Sequence, residues 1–93
     1  NSSDVNELYY YCRFFCLLII DCDNEDEYKK RIPAYLFKDR DYLIDFYRRY
    51  NIKKKGLLIR LLSITEKVLR KENGLSTVTG LRFLLNIKKI TVS

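Results

Sequence analysis

The fold of this chain is decided by residues 8–20, which read LYYYCRFFCLLII. Twelve of these thirteen residues are apolar or aromatic, so apolar side chains would surround a helix here on every side. Asp4 followed by Glu7 has the spacing of a capping box, and we therefore predict a helix over residues 4–22. A buried β-strand over residues 14–20 is the competing interpretation, because β-branched and aromatic residues cluster there.

A helix that is apolar all round must be covered all round. Either it lies at the centre of a compact bundle, or another chain covers part of it. Because Tyr and Phe bring a large contact area at a low entropic cost, the helix is a candidate protein interface. The candidate partner-binding residues are Tyr9, Tyr10, Tyr11, Phe14, Phe15 and Leu18.

The rest of the chain predicts helices separated by polar turns. Proline disfavours the α conformation of the residue before it, so Pro33 divides two short helices. Asn73 and Gly74 are typical of a helix C-terminus, and Ser76 is typical of an N-cap. Helices are predicted over residues 28–32, 33–37, 41–50, 57–72 and 77–88, and residues 90–93 are expected to form an extended tail. The predicted fold is one all-α domain, a compact bundle of four to six helices.

The composition excludes most catalytic chemistry. The 93 residues include no His, which removes the commonest general base and the commonest zinc ligand. The acidic run over residues 21–27 resembles a calcium loop only loosely, because Asp26 stands where an EF-hand requires Gly. We expect no enzyme activity, no metal and no cofactor. Position 1 is not Met, so we also expect a piece of a longer protein.

Three cysteines are an odd number and have no framework spacing, which favours a reducing intracellular compartment, the cytoplasm or the nucleus. Cys12 and Cys16 share one helical face, where core packing explains them better than metal ligation does. Residues 8–20 are too short for a membrane span and contain Arg13.

Charge is distributed unevenly between the two halves of the chain. Residues 1–45 hold ten acids and six bases, a net charge of −4, whereas residues 46–93 hold two acids and twelve bases, a net charge of +10. This polarity indicates an acidic partner, head-to-tail self-association of acidic residues 21–27 with basic residues 48–55, or simply an uneven solvated surface.

The sequence therefore supports two functions. The first is a non-catalytic interaction or assembly module, with a protein partner or a second copy bound to the first helix. The alternative is nucleic-acid binding by the basic half, in which cations contact phosphates and tyrosines stack on bases. The residues for this alternative, or for an acidic protein partner, are Arg48, Arg49, Lys53, Lys54, Lys55, Tyr47 and Tyr50.

Overall fold

The computed structural model describes the backbone of residues 2–50 and 54–92 and the side chains of residues 4–50 and 54–90. The α-helices are α1 (Ser2–Asp21), α2 (Glu25–Arg31), α3 (Arg40–Tyr50), α4 (Lys55–Glu72) and α5 (Thr77–Val92), with a 3₁₀ helix, Ala34–Asp39, before α3. The all-α prediction is confirmed. No strand occurs in the described residues, so the β interpretation of residues 14–20 is wrong.

Several predicted helix ends differ from the structure by one to four residues. The largest differences are the start of α2, which is Glu25 and not residue 28, and the end of α5, which is Val92 and not residue 88. Because α1 begins at Ser2, Asp4 lies in its first turn and is not the N-cap of a capping box. The extended tail predicted for residues 90–93 is wrong as far as residue 92, because α5 continues to Val92 and keeps Ile87 and Ile90 on its inner side. Ser93 lies outside the described residues.

The turn between α4 and α5 forms as predicted. Asn73 adopts the left-handed conformation, with φ 60°, and Gly74 has φ 134°. The Gly74 N–H donates to the Leu69 carbonyl at 3.0 Å, which satisfies a carbonyl of the last turn of α4. The Ser76 hydroxyl accepts from the Thr79 N–H at 3.2 Å and caps α5.

Helices α1, α4 and α5 form a three-helix unit. Lys55, at the start of α4, lies beside Cys22, just after the end of α1, so these two helices run antiparallel. Near the start of α5, a Cβ built on Gly80 would lie 3.1 Å from Val5 Cγ1, near the start of α1, so α1 and α5 run parallel. Helices α2 and α3 pack against each other and also contact α1.

Helix α1 is central but not covered all round. It supplies five of the sixteen buried hydrophobic residues of the described chain, and these five are Tyr9, Phe15, Cys16, Leu18 and Ile19. An outer stripe of Tyr10, Phe14 and Leu17 remains between 41% and 55% exposed. The inner face of α1 is therefore core, as the first alternative predicted, and its outer face is open to solvent, so coverage of that face by another chain stays a prediction.

Aromatic rings join α1 to α2 and α3. The ring centroids of Phe15 and Tyr28 are 6.4 Å apart, and those of Tyr28 and Tyr47 are 4.7 Å apart. The Tyr28 hydroxyl donates to the Leu43 carbonyl at 2.8 Å, so its polar atom is satisfied inside the core. This chain of rings fixes the position of α3 beside α1.

Candidate functional site

A groove of about 410 Å³ lies between α1, α3 and α5. Each helix contributes residues three, four or seven positions apart, which is the spacing of one helical face. The lining residues are Leu8, Tyr11, Cys12, Phe15, Tyr42, Leu43, Phe46, Arg49, Tyr50, Leu84, Ile87 and Lys88. The groove is thus an apolar and aromatic channel with polar contributions from a few side chains only.

The charged side chains of the groove are both cationic. Arg49 Nη2 lies 2.8 Å from Asp45 Oδ2, an exposed pair one helical turn apart, and Lys88 is exposed. Leu8 and Tyr42 are 54% and 72% exposed although they line the groove. The structure therefore presents open apolar surface beside positive charge.

The predicted partner-binding residues are divided between the core and the surface. Tyr9, Phe15 and Leu18 are buried, so a partner cannot reach most of their surface, although Phe15 also lines the groove. Tyr11 is half-buried and lines the groove. Tyr10 and Phe14 are exposed on the outer stripe of α1. The outer stripe and the groove lie on different sides of α1 because the apolar residues go all round the helix.

The predicted basic set does not form one free surface. Arg48 donates twice to the Glu25 carboxylate, at 2.6 and 3.1 Å, and Arg49 pairs with Asp45. Lys54 Nζ donates to the Ile90 carbonyl at 2.7 Å, and Lys55 Nζ donates to the Cys22 carbonyl at 3.1 Å. Lys53 lies outside the described residues.

The tyrosines of that set are core residues. Tyr47 and Tyr50 are 3% and 2% exposed, so neither ring presents a face on which a base could stack. The Tyr50 hydroxyl donates to the Ile87 carbonyl at 2.9 Å and joins α3 to α5. The prediction that these rings stack on bases is wrong, because packing against α1 and α5 takes up their surface.

Acidic and basic segments meet within one chain. The expectation of head-to-tail association placed acidic residues 21–27 against basic residues 48–55 of a second copy. Within the chain, Glu25 binds Arg48 and also pairs with Lys29 at 3.2 Å, whereas the association itself stays a prediction. The hydrogen bonds from Arg48 hold the pKa of Glu25 at about 2. Glu25 and Arg48 therefore already have partners within a single chain.

The cysteines are free thiols. Cys16 and Cys22 are fully buried, which confirms their prediction as core residues, and Cys12 is half-buried at the groove. Hydrogen bonding with Cys12, together with burial, raises the pKa of the Cys16 thiol, so it stays protonated. Within the described side chains, no group of three or more His, Cys, Asp or Glu could hold a metal ion.

Sequence reasoning missed most of the groove. Tyr42 and Phe46 of α3 were missed, although they lie seven and three residues before the predicted Arg49, and this spacing was a usable signal. Leu84 and Ile87 of α5 carry a similar signal, but their juxtaposition with α3 depends on tertiary packing.

No family model, curated protein or solved structure matches this chain. Among the described residues, no helix has the length and apolar character that crossing a bilayer requires.

Proposed function

We propose that this chain is a non-catalytic interaction module whose groove receives an amphipathic helical segment of a protein partner. The observation that carries this proposal is the groove between α1, α3 and α5, which is apolar along its length and cationic at Arg49 and Lys88. Such grooves bind the apolar face of a helix through side chains three, four and seven residues apart. The partner segment would carry acidic residues beside its apolar face.

The open apolar rim supports this proposal. Leu8 and Tyr42 expose more than half of their surface, and burial of apolar surface contributes about 25 cal/mol per Å². The Arg49–Asp45 pair is exposed, and such pairs contribute only about 0.3–0.5 kcal/mol, so Arg49 can exchange Asp45 for a carboxylate of the partner.

Selection from a displayed library of amphipathic helices tests the proposal. We expect the enriched peptides to combine apolar residues on one face with acidic flanks. Leu8→Ala and Tyr42→Ala should each weaken the selected peptide about tenfold, the size of a moderate hot spot. Tyr35→Ala is the matched control, because Tyr35 is 82% exposed and does not line the groove. Peptides that bind both groove variants as tightly as the wild type would contradict the proposal.

Self-association through the outer stripe of α1 is a second candidate. Tyr10, Phe14 and Leu17 are exposed at spacings of four and three residues, and they form one apolar face. A two-fold dimer would bring two such stripes together. Sedimentation velocity at micromolar concentration tests this candidate: a dimer that dissociates in Phe14→Ala supports it, and a monomeric wild type excludes it.

Nucleic-acid binding by residues 47–55 receives less support, because Tyr47 and Tyr50 are buried and Arg48 is bound to Glu25. An intracellular location, cytoplasmic or nuclear, is part of the proposal and is supported by three free thiols, which a reducing compartment preserves.

A further inference from the structure

Helices α4 and α5 form an antiparallel pair with an unusual solvent-exposed composition. Seven lysines and arginines and six large aliphatic residues of these helices are exposed, against one exposed acid, Glu72. Glu72 accepts hydrogen bonds from Ser76 in the turn and from Thr79 at the start of α5, so it lies at one end of the pair. The outward surface of α4 and α5, which we call the α4–α5 surface, is therefore cationic and aliphatic together.

The seven exposed cations of α4 and α5 are Arg60, Lys67, Arg70, Lys71, Arg82, Lys88 and Lys89. None of the seven forms an ion pair within the part of the chain that the structure describes. On α4, Arg60, Lys67 and Lys71 follow one stripe, at spacings of seven and four residues, and Ile64 lies in the same stripe. The positive charge is thus concentrated along one line of the helix.

The two helices bring their cations to a common depression. A shallow hollow of about 390 Å³ is lined by Arg60 and Ile64 of α4 and by Lys89 of α5. Its other lining residues include Leu57, which is 42% exposed. Cations and aliphatic side chains therefore lie side by side across both helices, and not in separate patches.

The aliphatic residues distinguish between anionic partners. A surface that binds only the phosphates of a nucleic acid needs no exposed Leu or Ile. A surface that stacks on bases needs exposed aromatic rings, but the aromatic residue of α4 and α5, Phe83, is 1% exposed. An anionic bilayer takes both kinds of side chain, because headgroups attract the cations and the interfacial zone accepts the aliphatic groups. Val78, Leu81 and Leu85 form an exposed face on α5 that suits this arrangement.

We propose that the α4–α5 surface docks peripherally on an anionic phospholipid bilayer. Lys67, Lys71 and Lys89 contact headgroup phosphates and carboxylates, and Leu81 and Leu85 enter the interfacial zone. This inference is independent of the partner groove between α1, α3 and α5, because Lys67, Lys71, Lys89, Leu81 and Leu85 do not line that groove. Of the seven exposed cations, Lys88 lines the groove and is not used here.

Co-sedimentation with vesicles tests the inference. The probes are vesicles of phosphatidylcholine alone and vesicles in which roughly one lipid in four is phosphatidylserine. We expect binding to the second kind only, and we expect it to weaken as salt is raised, because salt screens the attraction. Equal binding to both kinds of vesicle, or to neither, would overturn the proposal.

Two sets of variants separate the contribution of the lysine charges to vesicle binding from that of the aliphatic side chains. Lys67→Gln/Lys71→Gln/Lys89→Gln should weaken vesicle binding by about two orders of magnitude, roughly fivefold for each lysine. Leu81→Ser/Leu85→Ser should weaken it about tenfold, because an inserted aliphatic group is lost. The matched control is Lys30→Gln/Lys38→Gln, which removes exposed cations from α2 and the 3₁₀ helix and should leave binding unchanged.

A nucleic acid is the rival ligand, and the same variants identify it. If a duplex or single-stranded probe binds at physiological salt, and only the lysine variant weakens it, the surface is a phosphate-binding one and the bilayer proposal is wrong. All substituted residues are exposed, and circular dichroism of each variant confirms that the helices remain. Tyr42→Ala should leave vesicle binding unchanged, which separates a failure of this inference from a failure of the groove.

Discussion

The segment from α2 to α3 and the pair of helices α4 and α5 use charge in opposite ways. In the first, Glu25 binds Arg48 and Lys29, Arg31 binds Asp21, and Arg49 binds Asp45. In the second, seven exposed cations have no ion-pair partner among the described residues. Charge in the first region is largely paired within the chain, whereas the cations of the second have no ion-pair partner among the described residues. The difference shows that net charge alone does not locate a binding surface.

The two regions also pack differently. Aromatic rings connect α1 to α2 and α3, through Phe15, Tyr28 and Tyr47. Helix α4 contributes the buried aliphatic residues Leu58 and Leu61 instead, and a single ring contact, between Tyr9 and Phe83, joins α1 to α5 among the described residues. We therefore expect substitutions in the aromatic cluster to affect the whole domain, and substitutions on the outside of α4 and α5 to affect binding alone.

The largest effect is expected at Phe15, which is 2% exposed at the start of the aromatic chain. Phe15→Ala should lower the free energy of unfolding by about 3–5 kcal/mol, through lost burial and the cavity that remains. Its neighbour Phe14 is 46% exposed, and Phe14→Ala should cost less than about 1 kcal/mol. Urea unfolding followed by circular dichroism measures both values. Equal losses would show that the inner face of α1 is not the one described.

A smaller loss is expected where α1 and α5 approach each other. A Cβ on Gly80 would lie 3.1 Å from Val5 Cγ1 and 3.8 Å from Tyr9 Cβ, so Gly80→Leu should separate the helices and cost about 1–3 kcal/mol. Gly56, near the start of α4, has nothing within 4 Å of a built Cβ, and Gly56→Ala should be neutral or stabilising by up to about 1 kcal/mol. Thermal unfolding compares the two; a tolerated leucine at position 80 would contradict the close approach.

Loss of the hydrogen bond between Tyr50 of α3 and Ile87 of α5 should lower the free energy of unfolding by about 1 kcal/mol. Tyr50→Phe removes the buried hydrogen bond to the Ile87 carbonyl, and such bonds contribute about 0.5–1.5 kcal/mol. Tyr10→Phe, on the exposed stripe, is the control and should change nothing measurable.

The buried hydroxyl of Tyr50 also predicts that the stability of the fold depends on pH in the alkaline range. Burial raises the pKa of Tyr50 to about 12, whereas an unfolded tyrosine titrates near 10. Stability should be complete below pH of about 10 and fall as the pH rises toward about 12, because the unfolded chain releases the proton first. Tyr50→Phe should reduce this fall. A stability that is unchanged between these pH values would contradict the burial of the hydroxyl.

The smallest effects compare a paired cation with an unpaired one. Arg48→Gln should lower the melting temperature slightly, because Glu25 loses its two hydrogen bonds from the guanidinium. Lys71→Gln should leave the melting temperature unchanged or raise it, because Lys67 lies one turn away and like charges at that spacing cost about 0.2–0.5 kcal/mol. Calorimetry measures both melting temperatures. A lower value for Arg48→Gln with an unchanged or higher value for Lys71→Gln supports the comparison between the two regions. Equal losses of melting temperature would contradict it.

The Glu25–Arg48 pair also predicts that the stability of the fold falls at acidic pH. Because Arg48 holds the pKa of Glu25 at about 2, below its ordinary value of 4.5, the pair stabilises the fold above pH 4.5. This contribution should disappear as the pH falls toward 2, and Glu25→Gln should show a smaller decline over the same range.

Local patterns predicted the helices well, because the signals lie within a few residues of each other. Asn73, Gly74 and Ser76 specify the α4–α5 turn through backbone conformation and capping. The side of α1 that faces the core could not be predicted, since apolar residues surround this helix and give no preferred face.

The candidate site was harder to predict, because it depends on contacts between distant residues. Arg48 and Glu25 are 23 positions apart, and Lys54 and Ile90 are 36 apart. A cluster of cations in the sequence therefore indicated a binding surface at residues 48–55, while tertiary structure used several of those charges internally. The cations left exposed on α4 and α5 are spread more thinly along the chain.

The parallel arrangement of α1 and α5 has a mechanical consequence. Val5 and Tyr9, near the start of α1, lie beside Gly80 and Phe83 in the first half of α5, so Ser2 and Val92 lie toward opposite ends of the three-helix unit. A pulling force applied between those two ends runs along the helix axes and loads the whole interface in shear. Contacts along α1 and α5 must then break together, which slows the forced unfolding that governs mechanical lifetime. A pair of helices pulled apart from one common end would instead separate turn by turn.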